Sequence, residues 1–466
     1  MSLANLQYHI QILKEALDFE YLRIWNLFSS NMMVQEGVNN GRYNYDKIDA
    51  VLDFVVSNRM KPFLDLGQRP DTAILKEEHP IYFQEHYLEF KDMVMWKNLM
   101  QDFFAHLVKR YGIQEVNTWI FEVSSRFSLT DREDPPLYDI YCFLYDVIKS
   151  YAPEAEVGVM ASHPYQREYL KEFLIRCKQA GKAPDFLPFL LFPYEEFMRE
   201  GEHNYQRDTR QDTELIKVQQ IQDLLDEVEI PCKLYAVEFN ISLSNRNYLN
   251  DSCSRAAYTV ERMQKIGEKV DMIGIWMASD WISNYYDTPS VVCGGVGILT
   301  KDSIRKPAYY AWAFLKKLGS VMVAQGENYI ITKKELNSYY ILCYNYKPYS
   351  AAYYLKDEVY ESPDELDACF VDHEDLELNF RLQNMPSDST YIIKKRCIND
   401  DEGAVLGEWK RFQYEKELRH SDTRYIRESC MPGMSIKKRV PVNGMLSFDL
   451  TLKAHEIALL HVYEDV

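Results

Sequence analysis

Over roughly the first 318 residues the chain alternates helical and strand-like stretches, and this alternation limits its fold more than any single motif does. The opening "LQYHIQILKEAL" carries apolar residues at three- and four-residue steps, a helical spacing, and "YLRIWNLF" after it is a short β-rich run. "YDKIDAVLDFVVSNR" is again helical, and "KPFLDLG" is a strand ended by glycine. "MVMWKNLMQDFFAHLVKRYG" predicts a long helix with a glycine stop, and "NTWIFEV" the next strand. "EVGVMAS", "PDFLPFLLF", "CKLYAVEF" and "VDMIGIWMA" continue the strands. Helical stretches centred near residues 145, 172, 220 and 260 separate them, and "PAYYAWAFLKKLG" closes the series as a helix. Repeated βα units with almost continuously apolar strands mean a parallel sheet covered by helices. Eight helices with strands of this length predict a (β/α)8 TIM barrel. Only seven strands are visible, because the first helix has no strand ahead of it. The first barrel strand is therefore expected to be missing, or to lie outside a chain that is a fragment of something longer.

From about residue 319 the texture changes. "NYIITKK", "SYYILCYNY", "AAYYL", "LELNFRL", "TYIIKKRCI", "MLSFDLTL" and "EIALLHVYE" are short runs rich in Tyr, Ile, Val and Phe, separated by Asn, Pro, Asp and Gly. They predict an antiparallel β-sandwich. The chain thus divides into a barrel over residues 1–318 and a sandwich over 319–466.

Charge and cysteine usage narrow the partners. A formal net charge of −18 argues against contact of this chain with nucleic acid or an anionic membrane. No apolar run approaches the roughly 20 residues that cross a bilayer, and no secretory leader is visible. The nine cysteines show no CxxC pairs or His/Cys clusters, which fits reduced thiols in the cytoplasm and no metal site. No phosphate-cradling glycine motif appears, and no cofactor is expected.

In a (β/α)8 barrel the chemistry gathers where strands end. A retaining glycosidase needs two carboxylates there about 5 Å apart, a nucleophile and an acid/base. "KLYAVEFNIS" ends its apolar run at Glu238. By itself this is a weak sign, since a glutamate at a strand end is most often a solvated loop residue.

The segments "FEVSSRFSL" (121–129) and "VEFNIS" (237–242) resemble the motifs "FEVWNEPNL" and "TEWNSS" of glycoside hydrolase family 39, the β-xylosidase family. "YNYDKIDAVLDFVVSNRMKPFLDLG", "HLVKRYGIQEVNTW", "LNDSCSRAAYTV", "GGVGILTKDSIRKPAYYAWAFLKKLG" and "LKAHEIALLHVY" resemble further family segments in the same order, over nearly the whole chain. The resemblance implies that Glu238 stands at the nucleophile position. It also implies that Arg126 replaces the acid/base Glu and Ser125 the Asn before it. In "RIWNLFSSNMM" Trp25 stands at a His position beside Asn26, with Ser30 and Asn31 at acidic ones; in "LFPYE" Phe192 stands at another His, two residues before Tyr194. Phe239 replaces the Trp after the nucleophile, while Trp276 and Asp280 match. Substrate contact is thus expected from Trp25, Asn26, Ser125, Phe192, Tyr194, Phe239, Trp276 and Asp280.

Arginine keeps its protons to a pKa above about 12, so it cannot protonate a leaving group. General acid–base help is worth about 10²–10⁴-fold. A guanidinium at position 126 is expected to pair with Glu238 and blunt its nucleophilicity. Glu122, four residues before Arg126, and His163, in a "SHPY" turn, are weaker candidates for a substitute acid. These changes favour a catalytically impaired, cytoplasmic domain that binds xylose or a short oligosaccharide. Family 39-like domains also occur in AraC-type transcription regulators, so any DNA contact would come from a separate N-terminal part. Family members often assemble, which makes a homo-oligomer an implied state. The competing reading is an active retaining glycosidase of β-xylosidase type.

Overall fold

The structure is a computed structural model that describes residues 4–28, 32–34, 43–66, 93–124, 137–160, 167–199, 202–281, 290–335, 337–354 and 363–465. Ser30, Asn31, Ser125, Arg126 and His163 lie outside the described residues.

Five parallel strands come first: β1 (Tyr21–Ile24), β2 (Lys61–Asp65), β3 (Ile120–Val123), β4 (Glu156–Val159) and β5 (Phe186–Leu191). An antiparallel hairpin of β6 (Tyr194–Arg199) and β7 (Glu202–Arg207) follows outside the sheet. Then β8 (Lys233–Phe239) and β9 (Met272–Ile275) complete a seven-stranded parallel sheet in chain order. These are the seven strands read from the sequence. Helices α1 (Ala4–Leu17), α2 (Asp46–Ser57) and α3 (Met93–Tyr111), the single turn α4 (Ile113–Val116), then α5 (Leu137–Tyr151), α6 (Arg167–Gln179), α7 (Thr213–Val228), α8 (Cys253–Ile266) and α9 (Pro307–Leu315) accompany them. Outward residues such as Leu64, Phe121, Val157 and Leu187 pack under the helices, while Phe63, Ile120, Phe186, Tyr235 and Val237 fill the interior. Among the described residues this is a (β/α) barrel whose parallel sheet has seven strands.

The C-terminal part is an antiparallel sandwich. A six-stranded sheet runs in the order β10 (Val321–Gly326), β11 (Tyr329–Glu335), β12 (Ser338–Tyr344), β17 (Ile457–Glu464), β14 (Tyr391–Ile398), β15 (Gly433–Arg439). Over it lies the pair β13 (Leu376–Gln383) and β16 (Met445–Leu452). Alternation along β12 explains how the sandwich is held. Ile341 and Cys343 face Phe380, Leu446 and Leu450 inside it, whereas Leu342 and Tyr344 pack with Ala256 and Val260 of α8. Both faces of the sheet are thus buried where it meets the barrel.

The β6–β7 hairpin had no strand assigned from the sequence, and three further features depart from that reading. "AAYYL" is a helical turn, Ala351–Tyr354, not a strand. The turn lets Tyr353 stack on Tyr349 at 4.3 Å, and the Arg207 guanidinium covers both rings at 4.5 and 5.0 Å. Strands β10 and β15 had no strand assigned. Helices Val405–Arg411 and His420–Ser429, also unforeseen, place Val405, Trp409 and Ile426 against Val291, Val292 and Ile304 of the segment after β9. No helix among the described residues is long and apolar enough to cross a membrane.

Candidate active site

The barrel interior is built in layers. Phe186 stacks on Tyr235 at 4.5 Å and meets Phe63 edge-on at 5.7 Å, forming an aromatic floor. Arg23 projects inward from β1 above it, its guanidinium carbon 5.8 Å from the Phe63 ring. Register places Asp65 of β2 beside Glu122 of β3, two residues beyond Phe63 and Ile120 on the same inward face. Arg23 Nε and Nη2 donate to the two oxygens of Glu122, each at 2.8 Å. Nη2 also donates to Asp65 at 3.1 Å, and Nη1 to Glu238 at 2.9 Å. Three carboxyl groups from three strands therefore converge on one guanidinium. Ser124 Oγ donates to the other Asp65 oxygen at 2.5 Å. Burial alone would lower the Arg23 pKa, but Glu122, Asp65 and Glu238 outweigh it and hold it above its ordinary value.

Glu238 reaches this cluster because β8 is bulged. Tyr235 and Val237 face the interior, and simple alternation would turn residue 238 outward. The register slips instead: Phe189 of β5 opposes Ala236, but the next residue, Leu190, opposes Glu238. The pairing with β9 shifts between Ala236 and Phe239 as well. Such bulges re-aim side chains, and here Glu238 ends 4% exposed with its carboxylate on Arg23. Gly274 allows β9 to lie this close, since a Cβ there would sit 2.3 Å from the Val237 carbonyl oxygen.

At the ends of the two edge strands, Trp25 and Trp276 stack with ring centroids 5.6 Å apart and planes at 28°. Asn26 follows Trp25 in the left-handed backbone region, at φ 59°. Arg255 steadies this rim by donating to the Trp276 carbonyl at 3.0 Å and the Val296 carbonyl at 2.7 Å. Burial pulls the Arg255 pKa down to about 10 against the attraction of Asp280 and Asp251.

The remaining expected contacts are placed elsewhere. Phe239 is on the outer side of β8, stacked on Tyr258 at 5.6 Å and edge-on to Trp312. The bulge that turns Glu238 inward leaves its neighbour in the helix layer, which corrects the expectation that Phe239 faces substrate. Asp280 is 2% exposed and accepts from Lys306 Nζ at 2.9 Å and from the Gly297 N–H, also at 2.9 Å. It braces a loop and does not face the mouth. Tyr194 is buried, with Arg207 over its ring at 4.9 Å and its hydroxyl on Ser242 Oγ at 3.4 Å. Phe192 is buried too, and its carbonyl accepts from Lys217. The expected partner of Glu238 was Arg126; the partner described is Arg23. Arg23, Asp65 and Ser124 had no role assigned from sequence. Their signal was a lone arginine inside the apolar "YLRI" run and an aspartate ending "KPFLD".

A profile of the family described as glycosyl hydrolases family 39 matches residues 2–447. The chain belongs to glycosyl hydrolase family 39. This family 39 chain is 24% identical over 468 residues to a β-xylosidase of Geobacillus stearothermophilus, across 97% of the chain and 88% of that protein. A β-xylosidase of Caldicellulosiruptor saccharolyticus is 26% identical over 315 residues, 66% of this chain and 63% of the relative. An uncharacterized HTH-type transcriptional regulator of Staphylococcus aureus matches at 18% identity over 240 residues, 52% of this chain and 30% of its own length. The same fold is seen in the crystal structure of a family 39 enzyme from Xanthomonas axonopodis pv. citri (TM-score 0.80, 21% identity, 99% of this chain and 91% of that one). A monomeric β-xylosidase from Caulobacter crescentus superposes as well, with TM-score 0.79 and 21% identity over 100% of this chain and 94% of the other.

Proposed function

We propose that this family 39 chain binds a xylose-like sugar or short oligosaccharide at the barrel mouth and does not hydrolyse natural glycosides. One observation carries the reading: Glu122, the carboxylate of β3, is gripped through both oxygens by Arg23. The position four residues on, where the family motif keeps its proton donor, is Arg126. Both oxygens of Glu122 are engaged by one guanidinium, and an arginine does not release a proton near neutral pH. Glu238 remains at the nucleophile position, and the Trp25–Trp276 pair supplies an aromatic wall of the kind that packs against the C–H surface of a sugar.

The partial likeness to an HTH-type regulator supports a sensing role, in which sugar occupancy biases a larger regulator between two states through unequal affinity. DNA contact would then fall to a part outside this chain. Nine cysteines without a disulfide suit a reducing, cytoplasmic setting.

The test is thermal unfolding with xylose and xylobiose, alongside hydrolysis assays on xylobiose and on aryl β-xylosides, whose good leaving groups need little protonation. Stabilisation that grows with ligand concentration, without cleavage of xylobiose, is the expected result. Aryl xyloside turnover that vanishes in Glu238→Ala, with xylobiose cleaved as well, would establish the second reading, an active retaining β-xylosidase. That reading draws on the β-xylosidase relative matched across 97% of this chain.

A further inference from the structure

A cavity of about 220 Å³ lies where the barrel meets the sandwich, and neither Arg23, Glu238, Trp25 nor Trp276 lines it. Clefts for drug-sized ligands run to roughly 300–1000 Å³, so this one has room for a single small molecule. The barrel supplies Asp208 and Gln211, between β7 and α7, and Glu261 and Arg262 of α8. The sandwich supplies Asn328, in the turn between β10 and β11, with Tyr344, Tyr346 and Tyr354. Both walls are fixed by the fold itself. Arg262, 7% exposed, pairs with Glu214 and with Glu261, each at 3.0 Å, and donates to the Gln211 carbonyl at 2.5 Å. Asp208, 6% exposed, accepts from the backbone N–H and the Nε of Arg210, both at 2.9 Å. Gln264 of α8 staples the walls together: its Nε2 donates to the Gly326 carbonyl at 2.6 Å, and its Oε1 accepts from the Tyr344 hydroxyl at 2.7 Å. Burial raises the Tyr346 pKa, so its hydroxyl stays protonated.

The lining selects the chemistry of the occupant. Arg207, Arg210 and Arg262 on it are balanced by Asp208, Glu261 and Glu327. An ion of either sign therefore meets no net charge to attract it. An apolar molecule would take water from these groups and give nothing back. A neutral ring with several hydroxyls suits them, because each hydroxyl both donates and accepts. Pairing within the wall does not exhaust it, since a carboxylate has about four lone-pair sites. Tyrosine rings add surfaces of the kind that packs on the C–H face of a sugar. We propose that this seam is a second sugar site, which takes one uncharged monosaccharide between α8 and the sandwich. The site is separate from the barrel mouth, and the inference does not rest on sugar binding there. Because the two walls belong to different domains, an occupant bridges them and holds the sandwich more firmly to the barrel.

The experiment follows amide hydrogen exchange at 208–211 and 327–328 in the full chain, with D-xylose or D-glucose in excess. Acetate and methylammonium serve as charged probes of similar polarity. Two variants fill the cavity from opposite walls at exposed positions, Gln211→Trp and Glu327→Trp. Trp25→Ala alters the barrel mouth instead. At least one of the two sugars is expected to slow exchange at both seam segments by about fivefold or more, and neither ion to do so. That protection should persist in Trp25→Ala and vanish in whichever cavity-filling variant keeps the wild-type Tm. Protection by neither sugar, protection that survives filling of the cavity, or equal protection by acetate or methylammonium overturns the inference. Protection that Trp25→Ala abolishes also overturns it, while leaving the barrel-mouth proposal standing. Seam protection without any response at the mouth would support this site and count against the other.

Discussion

Arg23 and Lys306 are both buried cations ringed by carboxylates, yet the two clusters are built for different ends. Arg23 is 10% exposed and takes its partners from three neighbouring barrel strands, β2, β3 and β8. Lys306 is 0% exposed and takes Asp251 at 2.6 Å and Asp280 at 2.8 Å from segments beyond the strands, with the Gly295 carbonyl as a third acceptor. A guanidinium offers a planar fork of donors and can hold three carboxylates in a fixed fan; an ammonium is a compact point charge. The fan fixes the Glu238 carboxylate at the end of β8. The point charge clamps loops: Asp251 also accepts from Gly294 N–H and Asp280 from Gly297 N–H. Gly295 and Gly297 make room for this, because a Cβ at either would lie within 2.3 Å of Asp280 or of the backbone before it. Burial opposes the charge on Lys306, but Asp251 and Asp280 outweigh it and raise its pKa. Buried charge of the same sign thus gathers carboxylates of the barrel strands in one place and braces loops in the other.

The comparison is broken most directly by removing each cation. Lys306→Met leaves two carboxylates in a dry interior, and loss of one partner from a buried pair costs about 3–5 kcal/mol. Urea unfolding should show a loss of that size with the response of the surviving fold to sugar retained. Arg23→Met strands three carboxylates as buried as those around Lys306, so it should cost a similar amount, about 3–5 kcal/mol. It should also abolish stabilisation by xylose or xylobiose. A sugar response unaffected by Arg23→Met would make both clusters structural braces of one kind.

A smaller effect sharpens the contrast through pH. Burial lowers the His9 pKa from 6.5 to about 4. Between those values the unfolded chain binds a proton that the folded chain refuses, so stability falls as pH falls through this window. The loss is about 2 kcal/mol between pH 6.5 and pH 5. His9 bonds Ser279, the neighbour of Asp280, so acid should loosen the Lys306 loops before the Arg23 fan. His9→Gln should flatten this part of the pH–stability curve, and a curve unchanged by that substitution would remove the link.

Much of the architecture was legible because its signals are local. Apolar runs such as "NTWIFEV" and "CKLYAVEF" declare buried parallel strands, and amphipathic stretches such as Leu137–Tyr151 declare the helices between them. Edge strands were harder. β15 has only Met434 and Ile436 as apolar residues, both exposed, before the basic run 437–439, so its apolar signal is too short to stand out until β14 pairs with it. The helices at 405–429 were passed over for a related reason: Trp409 and Ile426 bury against the segment after β9, a surface that exists only once the barrel has formed.

By itself, the sequence determined the βα order, the sandwich and the strand whose end carries Glu238, because each is written in spacing or residue type along a few neighbouring positions. Only the tertiary structure decided that Glu238 turns inward and Phe239 outward, through a one-residue slip between β8 and its neighbours. It alone gave Arg23 its three carboxylates and Asp280 its lysine. Those outcomes depend on register and on partners tens to hundreds of residues away, which no local pattern of side chains encodes.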